Sequence, residues 1–301
     1  MPTRINGIDI GNGVNIQPSY YNGGNVNFGW DFMHQYTAIK TVRIEIEPNK
    51  ANIAKLWIQQ AQSYGYHVIA TYHKSSVLGS SDANELIQAA MWWRANYQML
   101  GGNFIINLMN EWGPHNLQPQ DYANAYNQAI SIVRSVYNED IIIDLSGWGQ
   151  DAGVAAGALD KSSPLIEDKK LVLSAHIYQS SWNGSRFFSE ADIDAMLQTG
   201  LPCIVGEFGP IGNGDCNWSA CVNYASQNGI SLLGWCWNGD GEGHNMVDPY
   251  WKIDPLATNF SPHGNYFNTI YDKIDTGFVT ASTAFVKNGK TPAKKKKSSK
   301  K

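Results

Sequence analysis

The stretch FIINLMNEW, residues 104–112, decides the fold. It begins as an apolar run that reads as a buried strand and ends on Asn110-Glu111-Trp112. Continuous apolar character of this kind belongs to a strand covered on both faces, as in a parallel sheet wrapped by helices. A carboxylate at the carboxyl end of such a strand faces the mouth of the fold, where α/β architectures keep their chemistry. PCIVGEFG, at 202–209, repeats the pattern and delivers Glu207. Two buried strands thus bring two glutamates to one rim.

On either side of these stretches strand and helix alternate. A Gly-punctuated strand region at 6–17 precedes a helix at 28–36, and TVRIEIE at 41–47 is a strand stopped by Pro48. An amphipathic helix at 51–64, closed by Gly65, leads to the strand HVIATYH at 67–73. Ser81 or Asp82 caps a helix over 83–100. Beyond the central strand the pattern predicts helices at 120–137, near 154–159, and at 190–198, 219–228 and 266–273, with strands at 140–146, 171–178 and 231–237. Eight such pairs make a single-domain (β/α)8 TIM barrel over residues 1–286. The rival, a doubly wound open sheet, needs a Gly-rich phosphate loop after an early strand, and no G-x-G-x-x-G or Walker sequence occurs there.

Charge divides the chain. The last 15 residues, KNGKTPAKKKKSSKK, hold eight of the 22 basic groups and no acid, which leaves 14 basic against 26 acidic groups, a net −12, in residues 1–286. An acidic body without a basic, aromatic-studded patch argues against nucleic acid as a partner. The Lys-rich segment 287–301 has no apolar pattern to pack and reads as a disordered tail. No run of 18 apolar residues marks a membrane span, and the Met1-Pro2-Thr3-Arg4 start lacks the apolar core of a signal peptide, so any such peptide is expected to have been removed.

Four cysteines and three sequons (Asn183, Asn217, Asn259) lean towards secretion. Cys216 and Cys221 flank a short polar turn, and their spacing predicts a disulfide. Strand alternation places Cys203 on the Glu207 face and Cys236 opposite the face of Trp235 and Trp237, so this second pair reads as buried free thiols. The chain's 11 Trp and 15 Tyr exceed what a core of this size asks for and fit stacking on flat sugar rings.

The strand ends taken together carry the chemistry. They hold Asn15, Arg43, His73, Asn110-Glu111-Trp112, Trp148 with Gln150, His176 with Tyr178, Glu207, and Trp235 with Trp237. His73 and His176 with two glutamates are metal-ligand types, but no H-x-H or H-E-x-x-H spacing occurs and Arg43 beside the carboxylates repels a cation. The set points instead to a glycosidase pair, one glutamic acid protonating the leaving oxygen and one glutamate attacking the sugar carbon, with no metal or cofactor. By strict alternation Asn110 and Glu111 face opposite ways, so a bulge or turn is expected where both must reach the sugar.

Asn110-Glu111, His176-x-Tyr178, Glu207 in Gly-Glu-Phe-Gly, Trp237, Arg43 and His73 resemble glycoside hydrolase family 5, over about residues 5–275. The run VLSAHIY at 172–178 and the Gly147-Trp148-Gly149-Gln150 turn look most like its endo-β-1,4-mannanases. The resemblance implies Glu111 as acid/base, Glu207 as nucleophile, Asn110 on the sugar 2-hydroxyl, and Arg43 and Tyr178 hydrogen-bonded to Glu207. His73 and His176 line the same subsite, Trp237 forms its floor, and Trp112, Trp148, Gln150 and Trp235 complete the substrate-binding set. Cys236 stands where a small Ser is expected, a departure from the pattern. A secreted, monomeric retaining enzyme acting on β-mannan is the expectation, with an endo-β-1,4-glucanase as the alternative and a non-catalytic polysaccharide-binding barrel as the reading from another class.

Overall fold

Eight parallel strands close on themselves in the computed structural model, which describes residues 3–275. They are β1 (Gly13–Ile16), β2 (Thr41–Ile46), β3 (His67–Tyr72), β4 (Ile105–Asn107), β5 (Ile141–Asp144), β6 (Leu171–Tyr178), β7 (Cys203–Gly209) and β8 (Ser231–Asn238), and β8 pairs with β1 to complete the ring. Between and after them run α1 (Trp30–Tyr36), α2 (Ala51–Ser63), α3 (Ala83–Leu100), α4 (Pro119–Arg134), α5 (Ala152–Ala158), α6 (Glu190–Gln198), α7 (Trp218–Gln227) and α8 (Gly264–Ile274). The expected (β/α)8 barrel is the fold that forms. The Lys-rich segment 287–301 lies outside the described residues. Among those described, no helix is long and apolar enough to cross a membrane.

Alternation along the strands fills the barrel in layers. At the bottom, Ile69, Ile105, Ile142, Val172, Ile204 and Leu233 meet Ile5 and Ile10, which come from the short antiparallel hairpin segment that opens the chain. Burying each such side chain is worth about 1.5–3 kcal/mol. Above this layer the inward positions turn polar: Thr71, Asn107, Asp144 and Ser174, two residues further along their strands, and Asn15 and Arg43 on β1 and β2 are all fully buried. The side chains that face the mouth stand on this layer.

Two irregularities aim the glutamates. β4 leaves the ladder after Asn107, much earlier than the apolar run implies. The Leu108 amide still donates to Ile142 O (2.9 Å), but the Asn110 amide turns to Tyr72 O (2.8 Å) and Glu111 takes a left-handed φ of 51°. A non-glycine residue in that region costs free energy and persists only where its surroundings hold it. Here the Glu111 amide donates to Asp144 Oδ2 (2.9 Å) and its carbonyl accepts from the Gly79 amide (2.8 Å), which fixes both neighbouring peptides. This is the turn that bringing Asn110 and Glu111 to one site demands.

On β7 the register against β6 slips by one residue, from Ala175↔Val205 to His176↔Glu207. Gly206 is the extra residue of this bulge, and a Cβ there meets Ser174 Oγ at 2.2 Å, so glycine is required. The bulge turns Glu207 inward. It also overturns the predicted placement of Cys203, which packs with the outer core against the helices and not on the Glu207 face.

The disulfide expected between Cys216 and Cys221 is absent. Cys203, Cys216, Cys221 and Cys236 are all buried free thiols, and the Cys216 and Cys221 thiols both donate to Phe188 O, at 3.4 and 3.8 Å. Titration of the unfolded, unreduced protein is expected to count four thiols; a count of two would restore the bridge.

Candidate active site

Arg43 organises the site from the centre of the barrel. Its Nη1 donates to Glu207 Oε1 (2.8 Å), Glu45 Oε1 (2.9 Å) and Asn15 Oδ1 (2.8 Å), its Nη2 to Asn110 Oδ1 (2.5 Å) and its Nε to Asn107 Oδ1 (3.0 Å). A guanidinium without solvent contact survives only with such a full set of acceptors. From the other side Tyr178 OH donates to Glu207 Oε2 (2.6 Å). Burial alone would push the Glu207 carboxyl up, but His176, Arg43 and the Tyr178 hydroxyl outweigh it and hold the pKa at about 2. Glu207 is therefore ionised around neutral pH.

Glu111 is treated oppositely. Burial and the charge on Glu207 raise its pKa, against the pull of the His176 hydrogen bond. His176 Nδ1 lies 2.9 Å from Glu111 Oε1 and 3.4 Å from Glu207 Oε2, between the two carboxylates. Although burial disfavours its charge, the carboxylates of Glu207, Asp144 and Glu111 raise the imidazole to about 9. One oxygen of Glu111, one of Glu207 and one His176 nitrogen all lie within 4.8 Å of one another. Two carboxylates this close, one held ionised and one pushed towards its neutral form, make an acid and a nucleophile. The same three groups offer ligand atoms for a metal, but both Glu207 oxygens already accept from Arg43 and Tyr178, and the guanidinium charge opposes a cation at that point.

A family model for cellulase (glycosyl hydrolase family 5) matches residues 25–241. The chain belongs to glycosyl hydrolase family 5. It is 31% identical over 231 residues to beta-mannanase/endoglucanase A of Caldicellulosiruptor saccharolyticus, covering 73% of this chain and 16% of that protein. It is 28% identical over 198 residues to the mannan endo-1,4-beta-mannosidase of Streptomyces lividans, covering 61% of this chain and 49% of the other. The chain thus spans less than half the length of the curated relatives it matches. Among solved structures, the beta-mannanase of Streptomyces thermolilacinus superposes with a TM-score of 0.66 at 22% identity, covering 84% and 88% of the two chains. The Thermobifida fusca endoglucanase catalytic domain gives 0.70 at 14% identity, covering 90% and 93%. Both likenesses are of fold.

The family 5 site gathers most of the residues expected at the rim and parts company with others. His73 reaches Glu207 only through Glu45: its Nε2 is 3.4 Å from Glu45 Oε2, and its Nδ1 is 2.7 Å from Tyr20 OH. Trp112 is 1% exposed, donates Nε1 to Asp82 O (3.0 Å) and packs edge-on against Tyr126 of α4, so it is a core residue and offers no face to a sugar. Its placement follows from the turn at Glu111, which sends the next side chain outwards to the helices. Trp237 is likewise fully buried, its Nε1 donating to Phe28 O (2.8 Å), so it is not the accessible floor. The β8 register against β1 shifts between Gly234 and Asn238, which breaks the alternation that paired the two tryptophans. Trp235 keeps a half-exposed ring, its Nε1 donating to Asp240 Oδ2 (3.1 Å). Trp148 is 38% exposed and leans on His115 at the rim. Gln150 holds the neighbouring loop, its Oε1 accepting from the Trp182 amide (2.8 Å).

Several site residues escape a reading of strand ends. Glu45 and Asp144 sit one layer deep, and Glu45 is betrayed only by its two-residue spacing from Arg43. Tyr20 and Trp182, exposed by 42% and 37%, lie on loops without periodicity. The burial contrast predicts distinct phenotypes. Trp112→Ala is expected to cost about 3–5 kcal/mol of stability, whereas Trp148→Ala costs a small fraction of that and raises KM for polymer; urea melts and kinetics of the two variants decide it.

Proposed function

We propose that this protein is a retaining endo-β-1,4-mannanase that hydrolyses internal bonds of mannan, glucomannan or galactomannan. The observation that carries the mechanism is that one oxygen of Glu111 and one of Glu207 lie within 4.8 Å of each other, with Arg43 and Tyr178 on Glu207. A retaining pair stands about 5–5.5 Å apart, whereas an inverting pair needs about 6.5–9.5 Å to admit a water. Glu207 attacks the anomeric carbon while Glu111 gives its proton to the departing oxygen; Glu111 then takes a proton from the water that releases the sugar. Asn110, which Arg43 holds through its side-chain oxygen, binds the hydroxyl beside the reacting carbon in this reading. Trp148, Trp235 and Trp182 offer half-exposed rings for the flanking sugars.

Mannan as the substrate is supported by the mannanase names of curated relatives. The first of those names also includes endoglucanase, and this favours cellulose as the second reading. The two polymers differ at the second carbon of the ring, where buried polar partners discriminate strongly. Reducing-sugar release from mannan should exceed that from carboxymethyl cellulose by at least about a hundredfold; equal rates would favour the glucanase. Since a polysaccharide of this size does not cross a membrane, the proposal includes action outside the cell, as a monomer and without a cofactor.

A further inference from the structure

Counting protons around Arg43 exposes a third carboxyl group in the catalytic centre. Nη1 carries two hydrogens but has three acceptors within 2.9 Å: Asn15 Oδ1, Glu45 Oε1 and Glu207 Oε1. The Asn15 amide cannot be reversed to donate instead, because its Nδ2 already donates to Gly206 O (2.9 Å). One hydrogen therefore goes to Asn15, and the two glutamates are left to share the other. Two ionised carboxylates on one N–H, both without solvent, repel; a proton on one turns the repulsion into an O–H···O hydrogen bond. Arg43 and Tyr178 hold Glu207 as the anion, which leaves Glu45 to carry the proton.

From this geometry we infer that Glu45 is a positioning residue that carries a proton in the active form and donates a hydrogen bond to Glu207, the nucleophile of the proposed mechanism on which this inference rests. The groups facing Glu45 are Arg43 from its own strand, Tyr20 from the loop after β1, His73 just beyond β3, Tyr178 from β6, Glu207 from β7 and Cys236 from β8. Arg43 and His73 favour its anion, yet burial first, and then the charge of Glu207, place its pKa at about 7. Its far oxygen is held by Gln17 Nε2 (2.6 Å).

The donor matters most in the second half-reaction. There the bond between Glu207 and the sugar breaks, its electron pair returns to Glu207, the water oxygen bonds to the anomeric carbon, and the water's proton passes to Glu111. Glu45 keeps its own proton and stabilises the reappearing carboxylate. Removing one such donor from a developing oxyanion costs on the order of a hundredfold in rate.

The test uses an activated aryl β-mannoside substrate, for which release of the glycosyl-enzyme limits turnover. Glu45→Ala is expected to lower kcat on the order of a hundredfold and KM by a similar factor, leaving kcat/KM little changed. Glu45→Gln, which keeps an N–H donor of the same shape, should recover most of kcat. Because Glu111 acts as a base in this step, its ionisation does not slow it; His73 and His176, both raised by the neighbouring carboxylates, remain in Glu45→Gln, so the part of the alkaline fall in kcat that disappears in that variant reports Glu45. Parallel falls of kcat and kcat/KM in Glu45→Ala, or an unchanged alkaline limb in Glu45→Gln, would overturn the inference. Labelling the wild type with a 2-deoxy-2-fluoro glycoside separates the two levels: label away from Glu207 defeats the nucleophile reading itself, whereas label on Glu207 with unaltered Glu45 profiles defeats only the role of Glu45.

Discussion

Glu207→Ala is expected to lower kcat on mannan by on the order of ten-thousandfold, because the covalent intermediate has no atom left to form on. The loss should be one of chemistry, not of folding. Arg43 keeps Asn15, Glu45, Asn110 and Asn107 as acceptors when Glu207 is gone, so its buried charge is not stranded. Added azide supplies the diagnostic result. It enters the space vacated by the carboxylate, attacks an activated aryl glycoside from that side and gives an α-glycosyl azide. Unchanged turnover, or rescue that yields only the β-azide, would assign the nucleophile elsewhere.

Glu111→Ala is expected to lose about a hundred- to ten-thousandfold on mannan, the usual contribution of a positioned acid. The same variant should form the glycosyl-enzyme at near wild-type rate from substrates whose leaving group needs no proton, and azide should then give the β-azide. Its pH profile should change in a defined way. In the wild type, kcat/KM falls at low pH as Glu207 takes a proton, below the ordinary glutamate value of about 4.3 since Arg43, His176 and Tyr178 hold it near 2. It falls at high pH as Glu111, raised by burial and by the Glu207 charge, gives its proton up. Glu111→Ala removes that contribution to the alkaline limb. An alkaline limb unaltered in Glu111→Ala would deny it the acid role.

The barrel was legible because parallel strands buried on both faces write themselves as apolar runs, and both glutamates stood out because a charge ends such a run. Strand periodicity could not say which residues turn inward where the ladder breaks. Trp112 and Trp237 depart from periodicity for this reason: each follows a local irregularity, the left-handed Glu111 and the β8 register shift, and each ends in the core. Cys203 was misplaced by the bulge at Gly206, a residue whose small size is the only trace the bulge leaves in sequence. The need for a turn at Glu111 was legible, since the chemistry requires what alternation forbids. Glu45 and Asp144 were not picked out as site residues, because their roles depend on the three-dimensional count of donors around Arg43 and Glu111. The Cys216–Cys221 spacing permits a bridge, but spacing fixes only reach; in the fold the two thiols lie beside each other unbridged and both donate to the Phe188 carbonyl.

The central claim is that two glutamates whose nearest oxygens lie within 4.8 Å act by double displacement. Proton NMR of the first sugar released from mannan, recorded before the anomers equilibrate, tests it most directly. The spacing and the ionised Glu207 predict a β-anomer as the initial product; an initial α-anomer would mean that water attacks directly, and would contradict the account.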